Sequence, residues 1–178
     1  MSNGIGIVLA VAVLAVAPNA PQLARLRAPD VKFVASPDSV VDAMLELAHV
    51  TAADVVYDLG SGDGRIPIAA AQKYGARGVG IEIDPIRVRQ ANDRLARARI
   101  GDRVRFVNQD LFEANIAEAT VVTLFLLPRL NVRLLPKLKR ELRPGGRIVS
   151  HQFDMGDEWP PEETRDVEGL TIYLWTIK

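Results

Sequence analysis

The sequence predicts a doubly wound α/β domain with a mostly parallel sheet, and three observations carry that prediction. From Ser36 onward, short β-branched runs alternate with amphipathic helical stretches. The first run ends directly in a glycine-rich loop, and after Ser150 the pattern changes to two short runs on either side of a glycine. Neighbouring parallel strands need long right-handed crossovers, usually helices, so the alternation implies a parallel sheet. A ligand is then expected beyond the carboxyl ends of the strands.

Taken in chain order, Ser36 is placed to cap a lead-in helix whose first residue is Pro37 and whose apolar positions are Val40, Val41, Met44, Leu45 and Leu47. Val55 to Leu59 is a first strand, Ile66 to Lys73 a helix closed by Gly75, and Gly78 to Ile83 a second strand. Pro85 opens a helix with Val88, Ala91, Leu95 and Ala98 on its apolar side. Val104 to Val107 is a third strand, and Thr120 to Leu126 is apolar enough for a fourth that is buried on both faces. Val132 to Leu142 is helical, and Pro144-Gly145-Gly146 turns the chain into a fifth strand, Arg147 to Ser150. Arg165 to Val167, a turn at Gly169 and Thr171 to Ile177 fit a closing antiparallel hairpin.

With 178 residues the chain has room for one domain with a sizeable core, and 48% hydrophobic against 25% charged residues excludes a disordered or collagen-like chain. Basic and acidic side chains balance at 22 each, so no broad attraction to nucleic acid is expected. The absence of cysteine excludes disulfides, a thiolate metal site and a cysteine nucleophile, and two distant histidines, His49 and His151, furnish no metal cage.

No charged residue occurs from Met1 to Ala24, and Ile5 to Ala17 is almost entirely Ile, Val, Leu and Ala. The run is short for a spanning helix, which needs about 20 residues, and matches the apolar region of a signal peptide. No Lys or Arg precedes it, whereas Arg25, Arg27 and Lys32 follow it. That charge order favours a membrane tether over residues 1-24 with a cytoplasmic catalytic domain. The alternatives are export after signal cleavage near Ala17 to Ala20, and a buried apolar arm. The expected organisation is a hydrophobic segment 1-24, a linker 25-35 and one domain 36-178.

The segment richest in chemistry is Asp58-Leu59-Gly60-Ser61-Gly62-Asp63-Gly64-Arg65, between the first strand and its helix. Glycines at this turn adopt positive φ and bring backbone amides close to a ligand. A dinucleotide fingerprint has glycine at its sixth position, where Arg65 stands, so the nicotinamide reading weakens. Asp58 is negative where a pyrophosphate would lie, and suits an ammonium instead. Glu82, at the end of the second strand, has the acceptors for both hydroxyls of a ribose. Asp110 offers an acceptor after the third strand, and is equally placed to cap a turn over Leu111 to Ala114.

Asp58 to Gly64 and Gly80-Ile81-Glu82-Ile83-Asp84 resemble the first and second motifs of class I S-adenosylmethionine-dependent methyltransferases. The resemblance covers most of Ser36 to Lys178. It implies the Rossmann-like fold of that class and S-adenosyl-L-methionine as cofactor. It also implies a cofactor site of Asp58, Gly60, Ser61, Gly62, Asp63, Gly64, Glu82, Asp110 and Leu111. Asp58 would hold the amino end, Glu82 the ribose, and Asp110 with Leu111 the adenine.

A narrower resemblance rests on Ile66-Pro67-Ile68-Ala69-Ala70, Asp110-Leu111-Phe112, Val122 to Pro128 and Arg147 to Phe153. Together with the hydrophobic N-terminal segment and the closing hairpin, these are similar to the small protein-lysine methyltransferases that act on the adenine nucleotide translocase and on the c-ring protein of ATP synthase. Lys32-Phe33-Val34-Ala35-Ser36 stands where that group carries an aromatic-Val-Pro-small stretch. The resemblance implies methylation of a protein lysine, on a partner that can be membrane-embedded; separately, a monomer is expected.

On the acceptor side, Phe125-Leu126-Leu127-Pro128 lacks the polar Asn-Pro-Pro-aromatic signature of relatives that modify adenine or glutamine, and suits an apolar wall around an alkyl-ammonium chain. Phe125, Leu127, Pro128 and His151 are the candidate acceptor-site residues, His151 as base or contact. A core role for Phe125 and Leu126, and a structural role for His151, are the competing readings. The acidic, Trp-containing loop Asp154 to Glu163 is expected to be a solvated surface. The alternative functions are methylation of a small molecule or lipid, and nucleoside binding without catalysis.

Overall fold

In a computed structural model, described over residues 26-178, the expected architecture is present. The elements are α1 (Asp38–Leu47), β1 (Val55–Leu59), α2 (Arg65–Tyr74), β2 (Arg77–Glu82), α3 (Pro85–Ala98), β3 (Val104–Asn108), β4 (Val121–Leu124), α4 (Pro128–Glu141), β5 (Arg147–His151), β6 (Glu163–Val167) and β7 (Leu170–Thr176). They form one seven-stranded sheet in the order β3-β2-β1-β4-β5-β7-β6. β1 to β5 pair in parallel, and β7 enters antiparallel between β5 and β6. Residues 1-24, which carry the tether and signal readings, lie outside the described residues.

Each central strand is buried on both faces, so alternate side chains serve two cores. Tyr57, Leu59, Val122, Leu124, Ile148 and Trp175 pack with Leu130, Leu134 and Leu138 of α4. Val56, Val121, Val149 and Ile172 pack with Val40, Met44 and Leu45 of α1 and Ile66 and Ala70 of α2. The period of two therefore decides which face each side chain serves. The chain order reverses between β1 and β4, the switch point at which doubly wound sheets open a crevice.

The differences from the predicted elements have local causes. Ser36 does not cap α1; Pro37 holds that position without a side-chain bond. The Ser36 hydroxyl meets Nδ1 of the buried His151 at 2.9 Å instead, since a buried imidazole needs a partner. β4 is shorter than its apolar run because the Thr120 hydroxyl accepts the Val55 amide at 2.9 Å, while Phe125 and Leu126 leave the ladder. α4 begins four residues early, at Pro128, whose fixed φ suits a first helical position. α3 buries only Ala91; Val88, Leu95 and Ala98 are half-buried.

Candidate active site

A cavity of about 660 Å³ opens at the carboxyl ends of the strands, within the usual range of about 300–1,000 Å³ for small-molecule sites. The parallel register sets Asp58 of β1 beside Gly80 of β2 and Thr123 of β4. Thr123 donates to Oδ1 of Asp58 at 2.8 Å, and both residues are buried. Burial pushes the Asp58 carboxyl up to about 7; the Thr123 hydrogen bond opposes the rise, and the charges of Glu82 and Asp63 add to it. Asp58 is thus a buried acid with a single side-chain donor, lining a cavity where a cation would complete it.

The loop after Asp58 is held from β2. The amides of Gly60 and Ser61 both donate to Ile81 O, at 2.9 and 3.0 Å. Glu82 accepts the Gly62 amide on Oε2 at 2.8 Å and the Asp84 amide on Oε1 at 2.9 Å, which leaves one lone pair on each oxygen for a ligand. Gly62 and Gly64 have positive φ and leave no room for a side chain: a Cβ on Gly62 would lie 2.0 Å from the Phe33 ring, and one on Gly64 2.3 Å from the Phe106 ring. Asp63 is paired with Arg65 and Arg94, each at 2.8 Å. Burial opposes its ionisation, but the two arginines outweigh burial and hold the carboxyl below its ordinary range.

Asp110 is engaged in two ways. Arg27 donates from Nε to Oδ2 at 2.5 Å and from Nη2 to Oδ1 at 3.2 Å, and Oδ1 also accepts the Phe112 amide at 3.0 Å. Burial works against ionisation here too, and the Arg27 hydrogen bonds overcome it, so the carboxyl sits below its ordinary value. The turn-capping role read from the sequence is therefore present, and adenine would have to share Asp110 with Arg27.

The stretch from Arg27 to Ser36 runs along the cavity as one wall. Phe33 covers the glycine loop, and the Arg87 guanidinium lies 4.3 Å from its ring centroid. Arg65 donates to the Ser36 carbonyl at 2.7 Å, which fixes the end of the stretch to α2. Phe125, Leu126 and Leu130 form an apolar part of the lining. Behind Phe125, with ring centroids 4.0 Å apart, lies His151, and Phe153 follows at 6.3 Å. Burial lowers the His151 pKa, so the imidazole is neutral at pH 7, and its Nε2 is buried without a partner. Asn131 of α4 donates to the carbonyls of Phe153 and Asp154 at 3.0 and 3.2 Å and so holds the turn after β5.

Of the residues read from the sequence, Asp58, Gly60, Ser61, Asp63, Glu82, Asp110, Leu111 and Phe125 line the cavity. Gly62 and Gly64 lie beneath Phe33 and Phe106, and Leu127, Pro128 and His151 stand outside the lining. Sequence reasoning missed Arg27, Arg65, Arg87, Thr123 and Asn131 as parts of the site, while Phe33 lies in the stretch Lys32 to Ser36 that the resemblance singles out. Only Thr123 left a signal, since its place in β4 follows once the strands are paired in register.

These residues fit a cationic nucleoside cofactor. The buried Asp58 lacks a counter-charge, the Ser61 hydroxyl beside it is buried without a partner, and Glu82 keeps free lone pairs on the same wall. Among the described residues no group of His, Asp and Glu is arranged to hold a metal ion.

Comparison with known proteins gives the same direction. Residues 58–163 match the family model described as the ANTKMT methyltransferase domain. A protein-lysine N-methyltransferase of Saccharolobus islandicus is 45% identical over 154 residues, 84% of this chain and 95% of that protein. The adenine nucleotide translocase lysine N-methyltransferase of Mus musculus is 34% identical over 77% of this chain, which spans 58% of the mouse protein. Among solved structures, an RNA methyltransferase from Salinibacter ruber in complex with S-adenosyl-L-homocysteine superposes with a TM-score of 0.79 at 58% identity, covering 81% of this chain and 94% of that one.

Proposed function

The chain belongs to the ANTKMT methyltransferase domain family, and from that premise we propose that it transfers a methyl group from S-adenosylmethionine to the ε-amine of a lysine on a protein. When bound, the cofactor supplies a methyl already activated by a sulfonium centre, so the protein's work is binding, orientation and exclusion of water.

Asp58 would accept hydrogen bonds from the cofactor's ammonium, Glu82 from the ribose hydroxyls, and Asp110, shared with Arg27, from the adenine amino group. The observation that carries the lysine reading is the acceptor wall: Phe125 faces the cavity with Leu126 and Leu130, and the groups packed behind Phe125 are aromatic or neutral. An ammonium drawn against such a wall loses hydration and releases its proton more easily, which leaves the neutral nitrogen that can attack. His151, behind Phe125 and bonded to Ser36, positions both walls rather than touching the acceptor. Leu127 and Pro128 support this wall by starting α4 directly after it.

The uncharged residues 1-24, followed by Arg25, Arg27 and Lys32, support a membrane tether that keeps the catalytic domain on the cytoplasmic side. No helix among the described residues is long and apolar enough to cross a membrane, so such a tether would reside in that segment.

The deciding experiment supplies the full chain and radiolabelled S-adenosylmethionine to membrane and soluble extracts, then divides the product by protease, nuclease and solvent extraction. Label removed by protease, resistant to nuclease and recovered on a lysine by mass spectrometry is the expected result. Nuclease-sensitive label would instead align the chain with the relative described as an RNA methyltransferase, and solvent-extractable label would move the acceptor to a lipid or small molecule.

A further inference from the structure

Among the described residues the exposed large hydrophobic side chains are Leu26, Phe33, Val34, Ile86 and Leu127. They come from three separate stretches of chain, and every stretch borders the same cavity. Phe33 and Val34 line it, Leu26 precedes the lining residue Arg27, Ile86 stands between Asp84 and Arg87, and Leu127 follows Phe125 and Leu126. Ile86 is 54% exposed and Val34 66%, far more than folding alone would leave on one edge of a molecule whose other large apolar side chains are buried or half-buried.

The charges on this rim are not balanced. Most of its carboxylates are already paired with cations, Asp30 and Asp110 with Arg27 and Asp63 with Arg65 and Arg94, while Asp84 accepts the Ile86 amide at the start of α3. Its remaining cations are not so paired. Lys32, Arg87, Arg129 and Arg133 make no ion pair among the described residues; Arg87 and Arg133 lie over the rings of Phe33 and Phe112. Free cations around exposed apolar side chains complement a surface that is anionic outside and apolar beneath. The described chain begins at Leu26, at this rim and not at the far end of the sheet, two residues after the 24 uncharged residues of the N-terminus in sequence.

We propose that the rim of the cofactor cavity is a docking face for an anionic lipid bilayer, with Leu26, Phe33, Val34, Ile86 and Leu127 entering the headgroup boundary and Lys32, Arg87, Arg129 and Arg133 meeting lipid phosphates. Apolar contact and charge act together at such surfaces, and each cation close to an anionic leaflet strengthens binding about fivefold. The inference deepens the tether reading: residues 1-24 bring the chain to the bilayer, and the rim orients the active site toward acceptors at its surface.

The chain has no cysteine, so single thiols can be placed at will. The test labels full-length Ile86→Cys, Leu127→Cys and, in the exposed loop before β1 at the opposite end of the sheet, Ala53→Cys, each with an environment-sensitive fluorophore. Vesicles of phosphatidylcholine, with and without phosphatidylglycerol, carry a quencher on the acyl chains. The expected result is a blue shift and quenching at positions 86 and 127, several-fold stronger with phosphatidylglycerol, and neither at position 53. Vesicle co-sedimentation with the labels at 86 and 127 still in water would overturn the docking face while leaving the tether in place. A lack of co-sedimentation would overturn both. A blue shift at 86 before vesicles are added would show that another segment or a second copy covers the rim, and would also overturn the proposal.

Discussion

Asp54 and Asp58 stand at opposite ends of one strand and are solved in opposite ways. Asp54, just before β1, is buried and surrounded by donors: the Thr51 amide and hydroxyl at 2.8 and 3.0 Å, the Thr120 hydroxyl at 2.7 Å and the Arg147 guanidinium. Burial resists its ionisation, yet these partners prevail and its carboxyl sits below the ordinary value. Asp58, at the other end, is enclosed more completely and has one side-chain donor, and burial pushes its carboxyl up to about 7. The first arrangement ties the carboxyl end of α1 to the amino ends of β1, β4 and β5, since Arg147 also donates to the carbonyls of Ala48 and His49 at 2.6 and 3.1 Å. The second leaves its carboxylate unfinished. A site complete without a ligand reports on stability, and one that a ligand would complete reports on function.

Removing each carboxylate separates the two roles, and the larger effect is expected at Asp58. Asp58→Ala would leave the cofactor's ammonium buried without its partner, a loss of about 3–5 kcal/mol, or a hundredfold or more in affinity. Isothermal titration with S-adenosyl-L-homocysteine measures this directly, and unchanged binding would refute the assignment of Asp58. Folding should survive, because the variant also deletes a poorly solvated buried charge. Asp54→Ala is expected to do the reverse. Stranding Arg147, Thr120 and the Thr51 amide costs about 2–3 kcal/mol of stability in chemical denaturation, with cofactor affinity unchanged in the protein that remains folded.

Much of this was legible in the residues. The alternation of β-branched and amphipathic runs placed every strand to within a residue or two, because central parallel strands are built from contiguous apolar residues. Asp58, the glycine loop and Glu82 stood out because each carries its chemistry at the carboxyl end of a strand, where a ligand is expected. Asp54 did not, for its meaning lies in Thr120 and Arg147, which approach only after β4 and β5 have paired beside β1. The stretch from Arg27 to Ser36 carried no periodicity and so looked like a linker. Its place as a wall of the cavity depends on Asp110, Gly62, Arg87, Arg65 and His151, all distant in sequence. Long-range partners of single side chains leave no pattern for a sequence to display.

The two carboxylates also respond to pH with opposite sign, which allows the comparison to be sharpened without changing the fold. Asp58 is raised in the folded protein, so its protonated form contributes stability that is complete below about pH 4 and is lost as pH rises through about 7. Asp54 is lowered, so its contribution is present above the ordinary carboxyl value of about 4 and is lost only as pH falls below it. Between pH 5 and 8 Asp58 should therefore lower the melting temperature of the unliganded protein as pH rises, while the buried His151, lowered from its ordinary value, acts in the opposite sense at the acid end of that range. Cofactor affinity should rise over the same interval, since the ammonium requires the ionised form. Thr123→Val tests the coupling with the smallest perturbation: it removes the one side-chain hydrogen bond that favours ionised Asp58. The midpoint of the affinity–pH curve should then move upward by about one unit. A uniform loss at every pH would mean that Thr123 acts on the shape of the cavity, and that the titration belongs to another group.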